Sequence, residues 1–360
     1  AYGFATLGDV VAYLRNPASY APLPRPDISE ILAHATLSGA DFSDIKGQKE
    51  AKRAMEIAAS GGHNVIMIGS PGAGKTMLAR ALPSIMPPLS VEECLECSNI
   101  HSIAGLLSSE HPLVTQRPFR APHHTCSQAS LIGGGHIPNP GEVSLSHNGI
   151  LFMDEFPEYQ KNVLEALRQP LEDGIVTISR VNAQLTYPCN FLLVASMNPC
   201  PCGYLNDPKH ECSCSDAAIS RYQRKVSGPL LDRFDLQLEV TPVEFNDLYD
   251  STSKEESSEA IRNRVTAARA LQLERFRRDG IYCNSNMSQA HIKKYCQLDE
   301  ASKRLLQRAF EKLGISARAN NRILKVARTI ADLDGEETIL SHHIAEAIQY
   351  RALDKSLWKS

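Results

Sequence analysis

Gly69-Ser70-Pro71-Gly72-Ala73-Gly74-Lys75-Thr76 follows the apolar run Val65–Ile68 and leads into Thr76–Leu82, a segment of helical periodicity. A glycine-rich loop between a strand and a helix, closed by Lys-Thr, has the spacing that cradles phosphate groups. The glycines let successive backbone N–H groups turn inward, and the helix N-terminus adds partial positive charge. A triphosphate is the expected ligand, with Lys75 reaching its β- and γ-phosphates and the Thr76 hydroxyl on Mg²⁺. This loop constrains the fold first, because it needs a strand ending beneath it and a helix starting above it.

The rest of the first two-thirds agrees with that demand. Ile150–Met153 and Phe191–Ala195 are short apolar runs of the kind buried on both faces of a parallel sheet, and Asn162–Gln169 has helical periodicity between them. The pattern predicts an α/β class with crossover connections. With 360 residues, 42% hydrophobic and 22% charged, the chain has room for two or three globular domains. A net charge of −3 argues against coating nucleic acid by bulk charge, so any basic surface is local. No run approaches the ~20 apolar residues of a membrane helix, and no signal peptide stands at the front. No membrane association and a cytoplasmic location are therefore expected.

Three zones are expected along the chain. Residues 1–40 come first: 1–16 read as a short strand and a short helix, and 17–27, with Pro17, Pro22, Pro24 and Pro26, as extended linker. The chain opens on Ala1 rather than Met, and this zone reads as the end of a domain whose body is missing. Residues 41–245 carry the α/β core. In 246–360, a polar and mobile linker over Ser251–Ser258 precedes helices near 258–278, 288–296, 299–313, 318–333 and 341–353, separated by Gly314, Gly335 and a Ser341 cap.

Further residues carry candidate chemistry. Asp154-Glu155 ends an apolar strand; Asp154 would hold Mg²⁺ and Glu155 would polarise the attacking water. Asn198, past the third strand, would orient water or touch the γ-phosphate, or simply form the turn before Pro199. Arg233, in Leu230-Leu231-Asp232-Arg233-Phe234-Asp235, offers the charged fork that stabilises transferring phosphate, often from a neighbouring subunit; alternatively it pairs with Asp232 or Asp235. His123-His124, read as adjacent strand residues, would point to opposite faces and hydrogen-bond structurally or near the nucleotide.

Ten cysteines occur, spread thinly except for Cys200-Pro201-Cys202 and Cys212-Ser213-Cys214. Four thiolates in so short a span suit structural Zn²⁺, with free thiols or redox chemistry as the alternatives and His210 as a substitute ligand. Cys94, Cys97, Cys126, Cys189, Cys283 and Cys296 read as packing residues in a reducing compartment. Ile175–Tyr187 reads as a β-hairpin turning near Arg180, and Ser127–Asn148 as a Gly-, Ser- and Pro-rich insertion.

Together with the nucleotide motifs, residues 120–125 (R-A-P-H-H-T), 131–135 (L-I-G-G-G), 140–155 (P-G-E-V-S-L-S-H-N-G-I-L-F-M-D-E) and 198–204 (N-P-C-P-C-G-Y) resemble the magnesium-chelatase-like AAA+ ATPases of the ComM/YifB family. The resemblance runs over nearly the whole chain. It implies an AAA+ P-loop core with helix-2 and pre-sensor-1 hairpin insertions, an all-helical lid, and a front remnant of a Lon-protease-like domain without protease activity. It implies a nucleotide-dependent homo-hexamer with ATP and Mg²⁺, acting on single-stranded or branched DNA. The helicase activity implied is branch migration of recombination intermediates in natural transformation; the alternative is a chelatase-like motor remodelling a protein partner. By motif position Arg233 looks like the trans-acting finger and Arg318 like the sensor-2 arginine reaching the γ-phosphate, with Arg322 close behind; read plainly, Arg318 is a solvated helix residue. Ile45, in Asp44-Ile45-Lys46-Gly47-Gln48, would lie beside the adenine. The insertions would line a central channel, making Arg180 the candidate DNA contact or else an ordinary surface arginine.

Overall fold

The computed structural model describes residues 2–23, 27–33, 39–134, 139–180, 183–207, 209–243, 255–313 and 316–351; the side chains of Ala33, Ser179, Arg180, Ala183 and Leu313 lie outside that description. The chain divides into a small unit, Ala1–Thr36, and a large one, Leu37–Ser360.

In the small unit, helix α1 (Leu7–Arg15) is started by Thr6, whose hydroxyl accepts from the Asp9 N–H while Asp9 accepts from the Thr6 N–H at 2.9 Å. No residue of α1 is buried. The expected first strand does not form. A strand needs a pairing edge, and Tyr2 and Phe4 instead gather with Tyr13 and Tyr20, ring centroids 4.7–5.7 Å apart. The expected extended linker also begins differently. Pro17–Ser19 forms a 3₁₀ turn, since proline at the first position already has the φ such a turn requires. Helix α2 (Ile28–Ala33) follows, its first N–H groups held by Asp27.

The large unit is built on a five-stranded sheet of β1 (Val65–Ile68), β2 (Phe119–Arg120), β5 (Ile150–Met153), β8 (Leu192–Met197) and β9 (Leu236–Glu239), all parallel, in the order β2-β5-β8-β1-β9. Period-two alternation sends the strand residues to two faces. Val65, Met67, Phe152 and Val194 pack with α3 (Lys49–Gly61) and α4 (Lys75–Ala81) on one side. Ile66, Ile68, Leu151 and Leu193 meet Phe156, Phe234 and α8 (Lys161–Ala166) on the other.

Two segments interrupt this plan. Helix α5 (Val91–Ile103) precedes β2, and the insertion between β2 and β5 holds α6 (Gln128–Ile132), α7 (Glu142–Leu145) and a ladder of β3 (Gly133–Gly134) with β4 (Asn139–Pro140). Leu131, Val143 and Leu145 bury this segment's stem. After α9 (Arg168–Asp173), β6 (Ile175–Arg180) and β7 (Ala183–Pro188) form the expected hairpin, rooted by buried Val176, Ile178 and Tyr187. Arg180 pairs with Ala183 through the backbone, but its side chain lies outside the described residues. Two short helices, α10 (Asp216–Gln223) and α11 (Gly228–Leu231), precede β9.

The C-terminal part is helical as expected: α12 (Ser258–Arg275), α13 (Gln289–Tyr295), α14 (Glu300–Leu313), α15 (Ala317–Leu333) and α16 (Ser341–Gln349). Ile261, Val265, Ile323, Ile330 and Ile344 join the same apolar cluster as Val65 and Met67, so these helices share the core of the sheet. The expected mobile linker is corrected at its end. Residues 251–254 lie outside the described residues, but Glu255 pairs with Lys52 at 2.5 Å and the Ser258 hydroxyl accepts from the Phe42 N–H at 2.8 Å. Polar residues here are anchors because they find partners 200 positions earlier. The Ser341 cap is also displaced: Leu340 is the capping position, and His343 Nδ1 accepts its N–H at 3.0 Å.

Candidate nucleotide-binding site

The phosphate loop leaves the carboxyl end of β1, and α4 starts at Lys75. Gly72 and Gly74 have φ of +79° and +90°, a region that favours glycine. Lys75 is buried, and its ammonium donates to Gly69 O at 2.6 Å, Ser70 O at 3.0 Å and Asn198 Oδ1 at 3.2 Å. Burial lowers the Lys75 pKa, with the Asp154 charge opposing. The structure thus brings Asn198 to the lysine. Gln48 braces the loop from behind, donating to Ala73 O at 3.1 Å and Thr241 O at 2.6 Å. Ile45 lies in the core next to this brace, 4% exposed.

Thr76 and Asp154 meet across the strand ends, the Thr76 hydroxyl donating to Asp154 Oδ2 at 3.1 Å. Ser196 donates to the other Asp154 oxygen. A hydroxyl and a carboxylate form the hard oxygen pair that Mg²⁺ prefers, and a nearby lysine suits phosphate oxygens, so the donor set fits Mg²⁺ with a nucleotide. Glu155 takes a left-handed φ of +51°, which lifts its side chain out of the strand line to 57% exposure. There it meets His124, whose Nδ1 is 3.1 Å away.

The histidine pair corrects an expectation. β2 ends at Arg120, and residues 124–125 turn, so the His123 and His124 rings lie together at 4.1 Å instead of on opposite faces. Tyr159 supports the turn by donating to Pro122 O at 2.5 Å.

The arginines gather elsewhere. Arg233 pairs with Glu172, not with either neighbouring aspartate. Those aspartates take Arg318 and Arg322: Asp232 lies 3.8 Å from each, and Asp235 3.5 Å from Arg322 Nε. Arg318 is 74% exposed, as a solvated residue would be, and Arg322 only 13%. Asp235 also accepts from His63 Nδ1 at 2.9 Å, and the far ring nitrogen of His63 meets Thr329 Oγ1 at 2.8 Å. Burial opposes the Asp235 charge, but the His63 hydrogen bond and the Arg322 charge outweigh it, and its pKa falls below the usual 3.8.

Cys200, Cys202, Cys212 and Cys214 converge, with all four Sγ atoms within 4.8 Å of one another. Three of their separations are 3.4, 3.6 and 3.7 Å. Tetrahedral Zn–S bonds of ~2.3 Å place sulfurs about 3.8 Å apart, so the quartet fits zinc. The thiols titrate as one crowded set: the Tyr204 N–H brings the Cys202 thiol down to about 6, while hydrogen bonds to Cys202 and Cys200 and the Cys200 charge push Cys212 up to about 12 and raise Cys214. His210 is turned away to Asp207, at 3.2 Å, leaving the cysteines as the donor set. Burial alone leads the rise of the Cys97, Cys189 and Cys296 thiols to about 12, as suits inert packing residues.

Ser196 and Glu172 were not legible as site residues, and for His124 and Gln48 the sequence offered a place near the nucleotide but not the partners they take. The Asp154–Ser196 contact follows from the β5–β8 register, in which Met153 lies beside Ala195 and the next pair meets in phase. That alignment exists only once the strand order is known.

Residues 41–248 match the family described as magnesium chelatase, subunit ChlI, and residues 255–351 its C-terminal part. The chain is 44% identical to competence protein ComM of Haemophilus influenzae over 99% of its length and 69% of that protein's. It is 43% identical to YifB of Escherichia coli strain K12, over 97% of its own length and 66% of YifB's. The 38 kDa magnesium-chelatase subunit of Acidiphilium rubrum is 25% identical, with 84% and 87% covered. The phosphate loop, the Asp-Glu strand end and a parallel sheet carrying both, matched over this length, show that the chain belongs to the magnesium-chelatase-like AAA+ ATPases of the ComM/YifB family.

Proposed function

We propose that the chain hydrolyses ATP as a nucleotide-dependent homo-hexameric motor acting on DNA, as a helicase driving branch migration when incoming DNA recombines in the cytoplasm. The observation that carries the hydrolytic part is the convergence of Lys75, Thr76, Asp154 and Asn198, with Glu155 exposed beside them. The DNA part rests on the likeness to competence protein ComM over 99% of the chain.

Lys75, now satisfied by loop carbonyls, would exchange them for β- and γ-phosphate oxygens. Thr76 and Asp154 would hold Mg²⁺, which neutralises phosphate charge when bound. Glu155 would accept a proton from the attacking water, and Asn198 would orient that water without adding charge. Ile45 would back the adenine. Arg233 and Arg318 would complete a neighbouring subunit's site. Two features support this: Asp232 joins the Arg318 helix to the Arg233 segment, and the described partners of these arginines include no residue of the phosphate loop. The cysteine quartet would hold structural Zn²⁺. Arg180, at the hairpin end, is the candidate contact to a DNA strand in the channel.

DNA dependence of ATP turnover tests the proposal. Single-stranded or branched DNA should raise the hydrolysis rate severalfold and promote hexamers in the presence of ATP. Hydrolysis indifferent to every DNA form would favour a chelatase-like motor that remodels a protein partner.

A further inference from the structure

The loop between the cysteine pairs does more than close on itself: it touches the phosphate loop twice. The Ser70 hydroxyl donates to Asp207 Oδ2 at 2.7 Å. Gly203, at φ +89°, lies so close to Pro71 that a Cβ there would stand 2.6 Å from Pro71 Cδ. Ser70 and Pro71 are the half of the phosphate loop farthest from α4, where the Ser70 carbonyl is held by the Lys75 ammonium at 3.0 Å and the Ala73 N–H at 3.3 Å.

Asp207 works in both directions. While Oδ2 holds Ser70, Oδ1 accepts from the Lys209 N–H at 2.9 Å and the His210 N–H at 3.0 Å, ordering the chain that leads to Cys212. Its side chain is 3% exposed. The Ser70 hydroxyl leads the contacts that bring the Asp207 pKa down to about 2, so the acceptor is charged near neutral pH. At the other end, the Gly203 N–H donates to Cys200 O at 3.0 Å, and the Cys202 N–H points at Cys214 Sγ at 3.4 Å.

Among the described residues from Tyr204 to Cys214, no apolar residue is buried. A loop without an apolar core is ordered by the bonds at its base, and four thiolates held within 4.8 Å of one another repel when no cation sits between them. We propose that this loop is a strap on the phosphate loop, with Asp207 and Gly203 as positioning residues for Ser70 and Pro71. Nucleotide affinity then depends on whether the four cysteines hold their metal. The inference deepens the ATP and zinc reading above and rests on it. It makes metal loss an event felt at the phosphate site.

The test uses the full chain loaded with zinc and a fluorescent ATP analogue, with zinc content measured on every sample. Asp207→Ala should weaken analogue binding about tenfold, the scale of one charge-assisted hydrogen bond, with zinc content and the hydrolysis rate at saturating ATP retained. Asp207→Asn, which keeps an acceptor for the loop N–H groups, should recover part of the loss. Asp207→Ala combined with Ser70→Ala should bind no more weakly than Asp207→Ala alone. Chelating zinc from the parent should weaken binding by a similar factor, and chelating it from Asp207→Ala should add little. Unchanged affinity in zinc-loaded Asp207→Ala, or additive effects of the two alanines, overturns the strap. Tight binding by a metal-free parent overturns the metal dependence. A parent that binds no analogue fails at the ATP reading itself and takes the inference with it.

Discussion

His124 Nδ1 lies 3.1 Å from a carboxylate oxygen of Glu155, although the two residues come from the ends of different strands. Glu155 is the carboxylate proposed to take the proton from water, and in this arrangement the imidazole occupies one of its oxygens. Hydrolysis then requires that pair to open. His124→Ala should raise basal ATP turnover without altering ATP binding. The pair is partly exposed, so its strength is at most about 1 kcal/mol and the rise at most about fivefold. Steady-state kcat and KM for ATP check this; a fall in kcat would instead make the histidine a helper of Glu155.

Lys75 and Glu155 should separate binding from chemistry. Lys75→Ala removes the cation that neutralises phosphate in the ground state, and nucleotide affinity should drop by an order of magnitude or more (~1.4 kcal/mol for each tenfold). Glu155→Gln should bind nucleotide like the parent while hydrolysis slows about 10²–10⁴-fold, the range of a lost general base. Equilibrium titration beside single-turnover measurements distinguishes the two. Parent-like hydrolysis by Glu155→Gln would remove Glu155 from the chemistry.

Arg233 is engaged by Glu172 within its own chain and should be released when a neighbouring nucleotide arrives. Arg233→Ala alone should lose on the order of 10³ in turnover. Mixing it with Glu155→Gln subunits should restore activity, because some interfaces then join an intact Glu155 to an intact Arg233. Turnover across a mixing series is the measurement. Full activity of Arg233→Ala as a monomer would exclude completion by a neighbour.

Asp235 gathers His63 and Arg322 in the interior, so removing it leaves partly buried polar groups without their acceptor. Asp235→Ala should cost roughly 3 kcal/mol. Because the Asp235 pKa is depressed on folding, its contribution is complete above the unfolded value of 3.8 and is lost as pH falls through the lower folded value. Urea titrations should show a parent–variant gap that is constant from neutral pH to about 4 and narrows below. A gap that widens on acidification would reverse the assigned sign.

The phosphate loop, the Asp-Glu strand end, the cysteine quartet and the helices of the last hundred residues were readable in the sequence. Each is local: glycine spacing, apolar periodicity and thiol spacing act within a few residues of themselves. The contacts that make a site of them were not. Ser196 reaches Asp154 because β8 lies beside β5, and His124 reaches Glu155 because the chain turns after Arg120. Asp207 reaches Ser70 because the cysteines fold their loop back. Arg233 reaches Glu172 and leaves Asp232 to Arg318, a choice that its two sequence neighbours concealed. Sequence by itself determined which residues carry the candidate chemistry, because backbone propensity and ligand type are properties of short segments. Tertiary structure alone decided which of them touch, because strand order and loop return set distances that no interval along the chain encodes.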